Sequence, residues 1–196
     1  MGKFTFTQTP IEGVVVVEPA ALGDSRGYFM ETYNRQDFVT AGIDSVFVQD
    51  NQSLSRKGIL RGLHAQKNHP QAKLVRVLSG AVFDVCVDVR PGSATFGAWY
   101  GAELSEENRR QLFVPRGLLH GFLVLSESAV LAYKCDDFYH SEDEVGLIWN
   151  DPAVGIEWPL DGIGAPVLSD KDTKWECLAG EAESPYQSAI ASCPPV

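Results

Sequence analysis

Short runs of β-branched and aromatic residues, separated by turn residues, recur along most of the chain. They are GVVVVEP at 13–19, SVFVQDNQS at 45–53, KLVRVLSG at 73–80, AVFDVCVDVR at 81–90, RQLFVPRG at 110–117, GFLVLSES at 121–128 and AVLAYKCDDFY at 129–139. Strands at this spacing are typical of an all-β sandwich or barrel. The sequence therefore predicts a fold built almost entirely from β-strands.

Helical patterns are confined to short pieces: NRQDFVTAG at 34–42, SEENRR at 105–110 and a turn at SDKDTKW, 169–175. The chain has 196 residues, 44% of them hydrophobic, and no clear internal linker. It is therefore predicted to form a single domain over 1–196, with its core at about 4–178. The small, polar, proline-ended segment 180–196 is predicted to be a loosely docked tail.

The net charge and the cysteine content of the chain indicate which ligands and which cellular compartment to expect. A net charge of -10 argues against a nucleic-acid surface, because a phosphate backbone repels such a field. The four cysteines form no C-x-x-C pair and the first ten residues lack a signal-peptide pattern, which favours a reducing cytoplasm. The longest apolar runs are far shorter than the roughly 20 residues of a membrane helix, so no membrane association is expected.

Period-2 alternation divides the run 81–90 into two faces. One face carries three valines and the other carries polar or ionisable side chains, namely Val85, Val87 and Val89 against Asp84, Cys86, Asp88 and Arg90. Inward residues of a small barrel that are not apolar must meet water or a ligand. The polar face therefore predicts a pocket inside the barrel.

The segment GILRGLHAQ, 58–66, places Arg61 and His64 within a run that otherwise has the pattern of a strand. Strict alternation puts these two side chains on opposite faces. A bulge at Gly62 would turn both inward. The combination then predicts an anion-binding cation and a base at one mouth of the barrel.

The spacing of Gly58, His64, Gln66, Lys73 and Gly80, followed by PRGLLH ending at His120, resembles the two cupin motifs. In metal-dependent cupins the positions of Gln66 and Lys73 hold a histidine and a glutamate. A protonated lysine offers a metal no lone pair. No metal and no cofactor are expected here, and a metal-dependent cupin oxygenase is disfavoured.

The ordered motifs from about residue 4 to 178 resemble one family, the dTDP-4-dehydrorhamnose 3,5-epimerases. They include DSRGYFMETYN, VQDNQSLSRKGILRGLHAQ, FVPRGLLHGFLVL, YKCDDFYHSEDEVGLIWNDP and LSDKD. The resemblance implies an all-β, cupin-type jelly-roll barrel of antiparallel strands with a few short helices. It also implies inversion of C3 and C5 of dTDP-4-dehydro-6-deoxy-D-glucose, next to the C4 ketone. At Ala65 this sequence departs from relatives, which commonly carry an aromatic residue there.

By the same resemblance, His64 is the base and an aspartate of LSDKD orients its ring, with Asp172 favoured over Asp170. Tyr133 is the acid that protonates the opposite face of the enolate. Lys73 stabilises the developing charge on the C4 oxygen. His120, and with it Asp84, is expected in the network around Lys73.

The resemblance also implies how the nucleotide is bound. The diphosphate positions are Arg26 and Arg61, whose guanidinium groups suit phosphate oxygens. Residues matching those that contact the sugar or the thymine nucleotide are Phe29, Glu31, Gln49, Asn51 and Tyr139. Family members are homodimers with exchanged N-terminal strands, so Arg26 and Phe29 are expected to complete the neighbouring site.

Two other functions stay open at this point. A single-centre epimerase of a related dTDP-4-keto-6-deoxysugar pathway would use the same base and acid. A non-catalytic sugar-nucleotide binding module would not require His64, Tyr133, Lys73 and an aspartate at 172 together, and the sequence therefore favours an enzyme.

Overall fold

The structure is a computed structural model that describes residues 3–178. The predicted tail at 180–196 lies outside the described residues. Within them the strands are β1 (Phe4–Gln8), β2 (Val15–Pro19), β3 (Leu22–Asp24), β4 (Gly27–Phe29), β5 (Gln49–Arg56), β6 (Leu60–Gln66), β7 (Lys73–Ser79), β8 (Ala81–Asp88), β9 (Trp99–Ser105), β10 (Gln111–Val114), β11 (Leu118–Val124), β12 (Ser128–Cys135) and β13 (Glu144–Gly146). Helix α1 spans Arg35–Thr40, and single 3-10 turns cover Ser141–Asp143 and Asp172–Lys174.

These strands form two antiparallel sheets that face each other. A six-stranded sheet has the order β1-β2-β10-β7-β12-β5, a five-stranded sheet has the order β13-β6-β11-β8-β9, and β3 and β4 form a separate hairpin. All seven predicted strands are present, and the all-β prediction is confirmed. No helix of the described residues is long and apolar enough to cross a membrane. The single-domain organisation and the cytoplasmic location stay predictions.

The core fills the space between the sheets and continues on their outer surfaces. Inside the barrel, side chains of β7 and β12 such as Val75 and Leu131 pack against those of β8 and β11 such as Val82 and Phe122. Outside the five-stranded sheet, a second cluster includes the three valines of the β8 alternation, Val85, Val87 and Val89. Both faces of β8 are therefore buried, one against the barrel interior and one beneath residues 147–178.

The structure contains the first predicted helix and has a turn in place of the second. Helix α1 begins as expected after Asn34, whose side chain accepts hydrogen bonds from the backbone amides of Gln36 and Asp37. The second helix, predicted at 105–110, is wrong. That segment is the turn joining β9 to β10, where the Asn108 side chain accepts from the amides of Ser105 and Arg110. These hydrogen bonds satisfy the backbone of the turn without a helix.

The bulge predicted at Gly62 is present. In the pairing of β6 with β11, His64 lies opposite His120 and Arg61 lies opposite Phe122, so β6 carries one extra residue over this stretch. Gly62 has a φ of 101°, and its peptide bond to Leu63 is cis. A Cβ at this position would lie 2.5 Å from the carbonyl oxygen of His120. Glycine is therefore required here by both conformation and space.

Substitution of Gly62 by alanine should be strongly destabilising. The added Cβ meets fixed backbone of β11 and a positive φ, so we expect a loss of about 3 kcal/mol or more in the free energy of unfolding. Gly164→Ala is the matched control, because Gly164 also has a positive φ of 80° but nothing lies within 4 Å of its added Cβ. It should cost about 1–2 kcal/mol. Urea denaturation measures both, and equal losses would contradict this account of the bulge.

Candidate active site

A polar cavity of about 350 Å³ opens between the two sheets. Eight of the twelve residues predicted to form the site line it, namely Gln49, Asn51, Arg61, His64, Lys73, His120, Tyr133 and Tyr139. They come from the five-stranded sheet, from the six-stranded sheet and from the segment that follows β12. The barrel thus brings together side chains that are up to 90 residues apart in the sequence.

His64 projects from β6 into this cavity. Burial is the main reason why the pKa of its imidazole lies well below 6.5, and the positive charges of Lys73 and Lys171 and the neighbouring His120 lower it further. The ring is therefore unprotonated at neutral pH. An unprotonated imidazole can accept a proton, which is what the predicted base requires.

The predicted orienting aspartate lies close by without bonding to the base. Asp172 is buried in a 3-10 turn that packs against β6, whereas Asp170 is exposed. The carboxylate of Asp172 accepts hydrogen bonds from Ser169 Oγ at 2.9 Å and Trp175 Nε1 at 3.4 Å. Within residues 3–178 no hydrogen bond joins it to His64. Its role in orienting the base stays a prediction.

A histidine and an aspartate that do form a bonded pair beside the cavity are His120 and Asp84. His120 Nε2 lies 3.0 Å from both carboxylate oxygens of Asp84, and both side chains are buried. The pair stands beside Lys73, the first residue of β7. Burial lowers the pKa of the Lys73 ammonium, while Asp84 and Glu144 act in the opposite direction and favour its charged form.

Tyr133 lies on the opposite wall of the cavity from His64. It belongs to β12 of the six-stranded sheet, whereas His64 belongs to β6 of the five-stranded sheet. Burial raises the pKa of the Tyr133 phenol to about 12, so the hydroxyl keeps its proton. No other residue of the described chain hydrogen-bonds to this hydroxyl. A protonated donor without a protein partner is available to a ligand in the cavity.

Arg61 provides a cation at the mouth of the cavity. Its Nε donates to Ser55 Oγ at 3.0 Å, which fixes the side chain. Its terminal guanidinium nitrogens form no hydrogen bond within residues 3–178. Fixed, unpaired nitrogens of this kind suit an anionic group such as a phosphate.

Arg26, Phe29 and Glu31 are not brought to the cavity of their own chain. Arg26 lies at the tip of the β3–β4 hairpin, pairs with Asp24 and is 87% exposed. Phe29 is 70% exposed, and Glu31 pairs with Lys3 at 2.9 Å. A single chain therefore does not assemble the complete predicted set.

Several residues that line the cavity were not among the predicted site residues, namely Ser53, Gln66, Gln71 and Glu144. Ser53 follows Gln49 and Asn51 at intervals of two along β5, and this alternation is a signal that identifies it. Glu144 lies on the short β13 and reaches the site only because that strand pairs with β6. No local sequence pattern reveals such a contact.

The cavity does not offer the ligands of a cupin metal centre. The side chain of Gln66 is fully used by the backbone, with Nε2 donating to the carbonyl oxygens of His69 and Phe138 and Oε1 accepting from the amide of His140. Lys73 stands at the position of the cupin glutamate. Neither residue can serve as a metal ligand, because the side-chain amide of Gln66 is already hydrogen-bonded to the backbone and the Lys73 ammonium is a cation.

The fold and the cavity together define a cupin-type β-barrel protein in which one cavity holds a proton acceptor, His64, and a proton donor, Tyr133. Residues 8–180 match the family model described as dTDP-4-dehydrorhamnose 3,5-epimerase. An enzyme of that name from Methanothermobacter thermautotrophicus is 48% identical over 178 residues, which is 91% of this chain and 96% of the relative. The chain therefore belongs to the dTDP-4-dehydrorhamnose 3,5-epimerase family, a family of isomerases, and the resemblance inferred from the sequence is confirmed.

Solved structures agree with this assignment. The crystal structure of dTDP-6-deoxy-D-glucose-3,5-epimerase from Legionella pneumophila, in complex with dTDP-4-keto-L-rhamnose, is 46% identical with a TM-score of 0.85 and covers 89% of this chain and 92% of its own. The structure of ChmJ, a 3'-monoepimerase from Streptomyces bikiniensis in complex with dTDP-quinovose, is 38% identical with a TM-score of 0.82 and covers 89% and 88%. The predicted cupin-type fold is confirmed.

The low pKa of His64 leads to a testable pH dependence. We expect the acidic limb of kcat/KM to lie below pH 6.5, because activity is lost only when His64 binds a proton.

Lys73→Met should raise the pKa of His64 in an NMR titration of the imidazole, because it removes the largest electrostatic contribution that lowers it. Lys134→Met is the matched control, since Lys134 pairs with Asp50 and should leave His64 unchanged. An unchanged His64 pKa in Lys73→Met would contradict this interpretation.

Proposed function

We propose that this protein converts dTDP-4-dehydro-6-deoxy-D-glucose to dTDP-4-dehydro-L-rhamnose by inverting C3 and C5 in turn. The observation that carries the proposal is the position of His64 and Tyr133 on opposite walls of one cavity. Inversion at carbon requires a proton to leave from one face and another to arrive at the other face. A base and an acid on facing walls meet this requirement.

The reaction uses the acidity of C–H bonds next to a ketone. The unprotonated ring of His64 takes the proton from C3 or C5, and the electron pair of that bond moves into an enolate whose charge lies on the C4 oxygen. The ammonium of Lys73 stabilises this oxyanion in the low-dielectric cavity. Tyr133 then gives its proton to the opposite face of the same carbon. Solvent restores the proton of Tyr133 and removes the one held by His64.

The nucleotide is held by groups at the mouth of the cavity. Arg61 has free guanidinium nitrogens for the diphosphate, and a charge-assisted contact of this kind contributes about 1.5–3 kcal/mol. Gln49, Asn51 and Tyr139 line the same cavity and are assigned to the sugar and the nucleotide. A few placed cations thus allow a protein of net charge -10 to bind a dianionic ligand.

We propose that the reaction needs neither metal nor cofactor. The epimerisation changes no oxidation state, and stabilisation of the enolate is the only task that a metal would otherwise perform. Lys73 supplies that stabilisation from the cupin glutamate position. The donor set of the cavity thus also disfavours a metal-dependent cupin oxygenase.

A single-centre epimerase is the second candidate. Similarity to the 3'-monoepimerase ChmJ supports it, although the identity is lower than to the double epimerases described above. The same base and acid would serve one carbon only. Product analysis separates the two functions, because the double epimerase exchanges and inverts both C3 and C5.

Incubation of the substrate in deuterated water with excess chelator, followed by NMR at C3 and C5, tests the proposal. The wild-type protein should incorporate deuterium and invert both centres. His64→Ala should abolish exchange and inversion, since no carbanion forms without the base. Tyr133→Phe should still exchange, while inversion falls by more than about tenfold, because an acid contributes roughly 10² to 10⁴ in rate.

Three outcomes would contradict these assignments. Loss of activity on chelation would mean that a metal is required. Label at a single carbon of the product would favour the single-centre epimerase. Equal loss of exchange and inversion in Tyr133→Phe, with the fold intact by circular dichroism, would mean either that Tyr133 helps to form the enolate or that another group such as Tyr139 is the acid.

We further propose that the protein acts as a homodimer in which the N-terminal hairpin of each chain completes the neighbouring site. The β3–β4 hairpin exposes Leu22 and Phe29 to solvent in the single chain, and burial of such apolar side chains favours association. Strand β5, which carries Gln49 and Asn51, is an edge of its sheet and can accept further contacts. Arg26 would then bind the diphosphate in the partner's cavity.

Subunit mixing tests this exchange. His64→Ala and Arg26→Ala should each be impaired alone at low substrate concentration. If Arg26 acts across the dimer, a heterodimer of the two variants contains one intact site, and random mixing should restore about a quarter of wild-type activity. Size-exclusion chromatography provides the oligomeric state. No recovery in a verified heterodimer would place Arg26 in its own chain's site or outside the site altogether.

A further inference from the structure

Tyr139 is held at the cavity mouth by an unusual set of contacts. It lies in residues 136–140, called here the tyrosine loop, which follows β12 and precedes β13. Tyr139 is 54% exposed, so packing does not fix its position. The loop is outside both sheets, and regular backbone pairing does not fix it either.

Three glutamines that line the cavity bind the backbone of this loop at four consecutive residues. Gln71 Nε2 donates to the carbonyl oxygen of residue 137 at 2.7 Å, and Gln66 Nε2 donates to that of residue 138 at 3.0 Å. Gln49 Oε1 accepts from the amide of Tyr139 at 3.1 Å, and Gln66 Oε1 accepts from that of residue 140 at 2.5 Å. The side-chain amides of the glutamines thus bind backbone groups of the loop that a neighbouring strand would bind in a sheet.

Gln66 is the central member of this set. It is 3% exposed and bonds to the loop on both sides of Tyr139. Its Nε2 also donates to the carbonyl oxygen of His69 at 2.7 Å, which joins the loop after β6 to the tyrosine loop. Because Gln66 sits at the end of β6, two residues from His64, it connects the position of Tyr139 to the strand that carries the base.

The other end of the tyrosine is fixed as well. The Tyr139 hydroxyl donates to Glu144 Oε1 at 3.2 Å, and Glu144 Oε2 accepts from Lys171 Nζ at 2.6 Å. Both the backbone and the phenol of Tyr139 are therefore anchored to groups of the cavity. A wall residue fixed before the ligand arrives loses little conformational entropy on binding.

We infer that Gln66 is a positioning residue, which sets the place of Tyr139 at the cavity mouth and acts on the substrate only through it. The inference rests on the proposed function in one respect, namely that Tyr139 contacts the bound sugar nucleotide. Because the effect concerns a preformed binding wall and not proton transfer, loss of Gln66 should raise KM and leave kcat nearly unchanged.

A double-mutant cycle on the full-length protein with the dTDP-sugar substrate tests this role. Gln66→Met keeps the side-chain length and removes all three hydrogen bonds. It should raise KM by about tenfold with kcat within about twofold, a coupling typical of residues in one network. In a Tyr139→Ala background the same substitution should change KM less than about twofold. A purely structural role predicts equal effects in both backgrounds, and that result would overturn the inference.

Hydrogen–deuterium exchange of the protein without substrate provides a readout that does not depend on activity. In Gln66→Met the amides of residues 139 and 140 should exchange at least about tenfold faster, while those of β11 stay unchanged. Unchanged exchange in the tyrosine loop would overturn the inference. If Gln66→Met fails to fold, Gln71→Met removes a single bond to the loop and should show the same effects at smaller size.

The cycle also separates failure of the inference from failure of the proposed function. If Tyr139→Ala alone leaves KM unchanged, Tyr139 does not contact the substrate and that part of the proposed function is wrong. If Tyr139→Ala raises KM while Gln66→Met does not, Tyr139 binds substrate without help from Gln66, and the positioning inference is wrong.

Discussion

The extra residue of β6 opposite β11 is the constraint on which the site depends. With regular pairing, Arg61 and His64 would point to opposite faces of the sheet, and only one of them would reach the barrel interior. The bulge at Gly62 turns both into the cavity. The bulge is possible because residue 62 is a glycine, since the backbone of β11 lies too close to leave room for a Cβ. The proposed phosphate-binding cation and the proposed base thus come from one short strand.

The electrostatics of the cavity follow from burying several ionisable groups together. Asp84 is hydrogen-bonded to His120 and also favours the charged form of Lys73, whose pKa burial lowers. Within residues 3–178 no carboxylate is hydrogen-bonded to His64, and burial together with the nearby positive charges lowers its pKa. The same burial that stops His64 from holding a proton stops Tyr133 from losing one. Burial therefore favours the protonation states that the proposed base and the proposed acid require.

Sequence patterns predicted the strands and most of the cavity, and their failures have physical causes. Period-2 alternation located β8 and its inward polar face, and the glycine in β6 located the bulge. The helix expected at 105–110 failed because Asn108 satisfies the turn with its own side chain. Glu144 was missed because its place depends on the pairing of β13 with β6.

Gln66 shows that a sequence motif can identify a residue without revealing its contacts in the fold. Gln66 was recognised as a lost metal ligand, and its spacing within the motif was informative. Two of its three bonds to backbone groups reach a loop more than 70 residues away, and they are visible only in the folded chain. Arg26 and Phe29 illustrate the complementary case, since motif matching assigned them to a site that their own chain does not assemble.

The proposed base and the proposed acid lie on strands of two different sheets, and this has a consequence for two successive inversions. The distance between the two walls of the cavity is set by the diameter of the barrel. Neither β6 nor β12 can shift without disturbing the core between the sheets. One pair of groups must therefore serve two carbons on either side of a ketone, and it is the sugar ring that has to turn or slide between the steps. Regiochemistry in such a barrel would then depend on the space in which the ring can move, and a change in cavity shape would be enough to convert a double epimerase into a single-centre one.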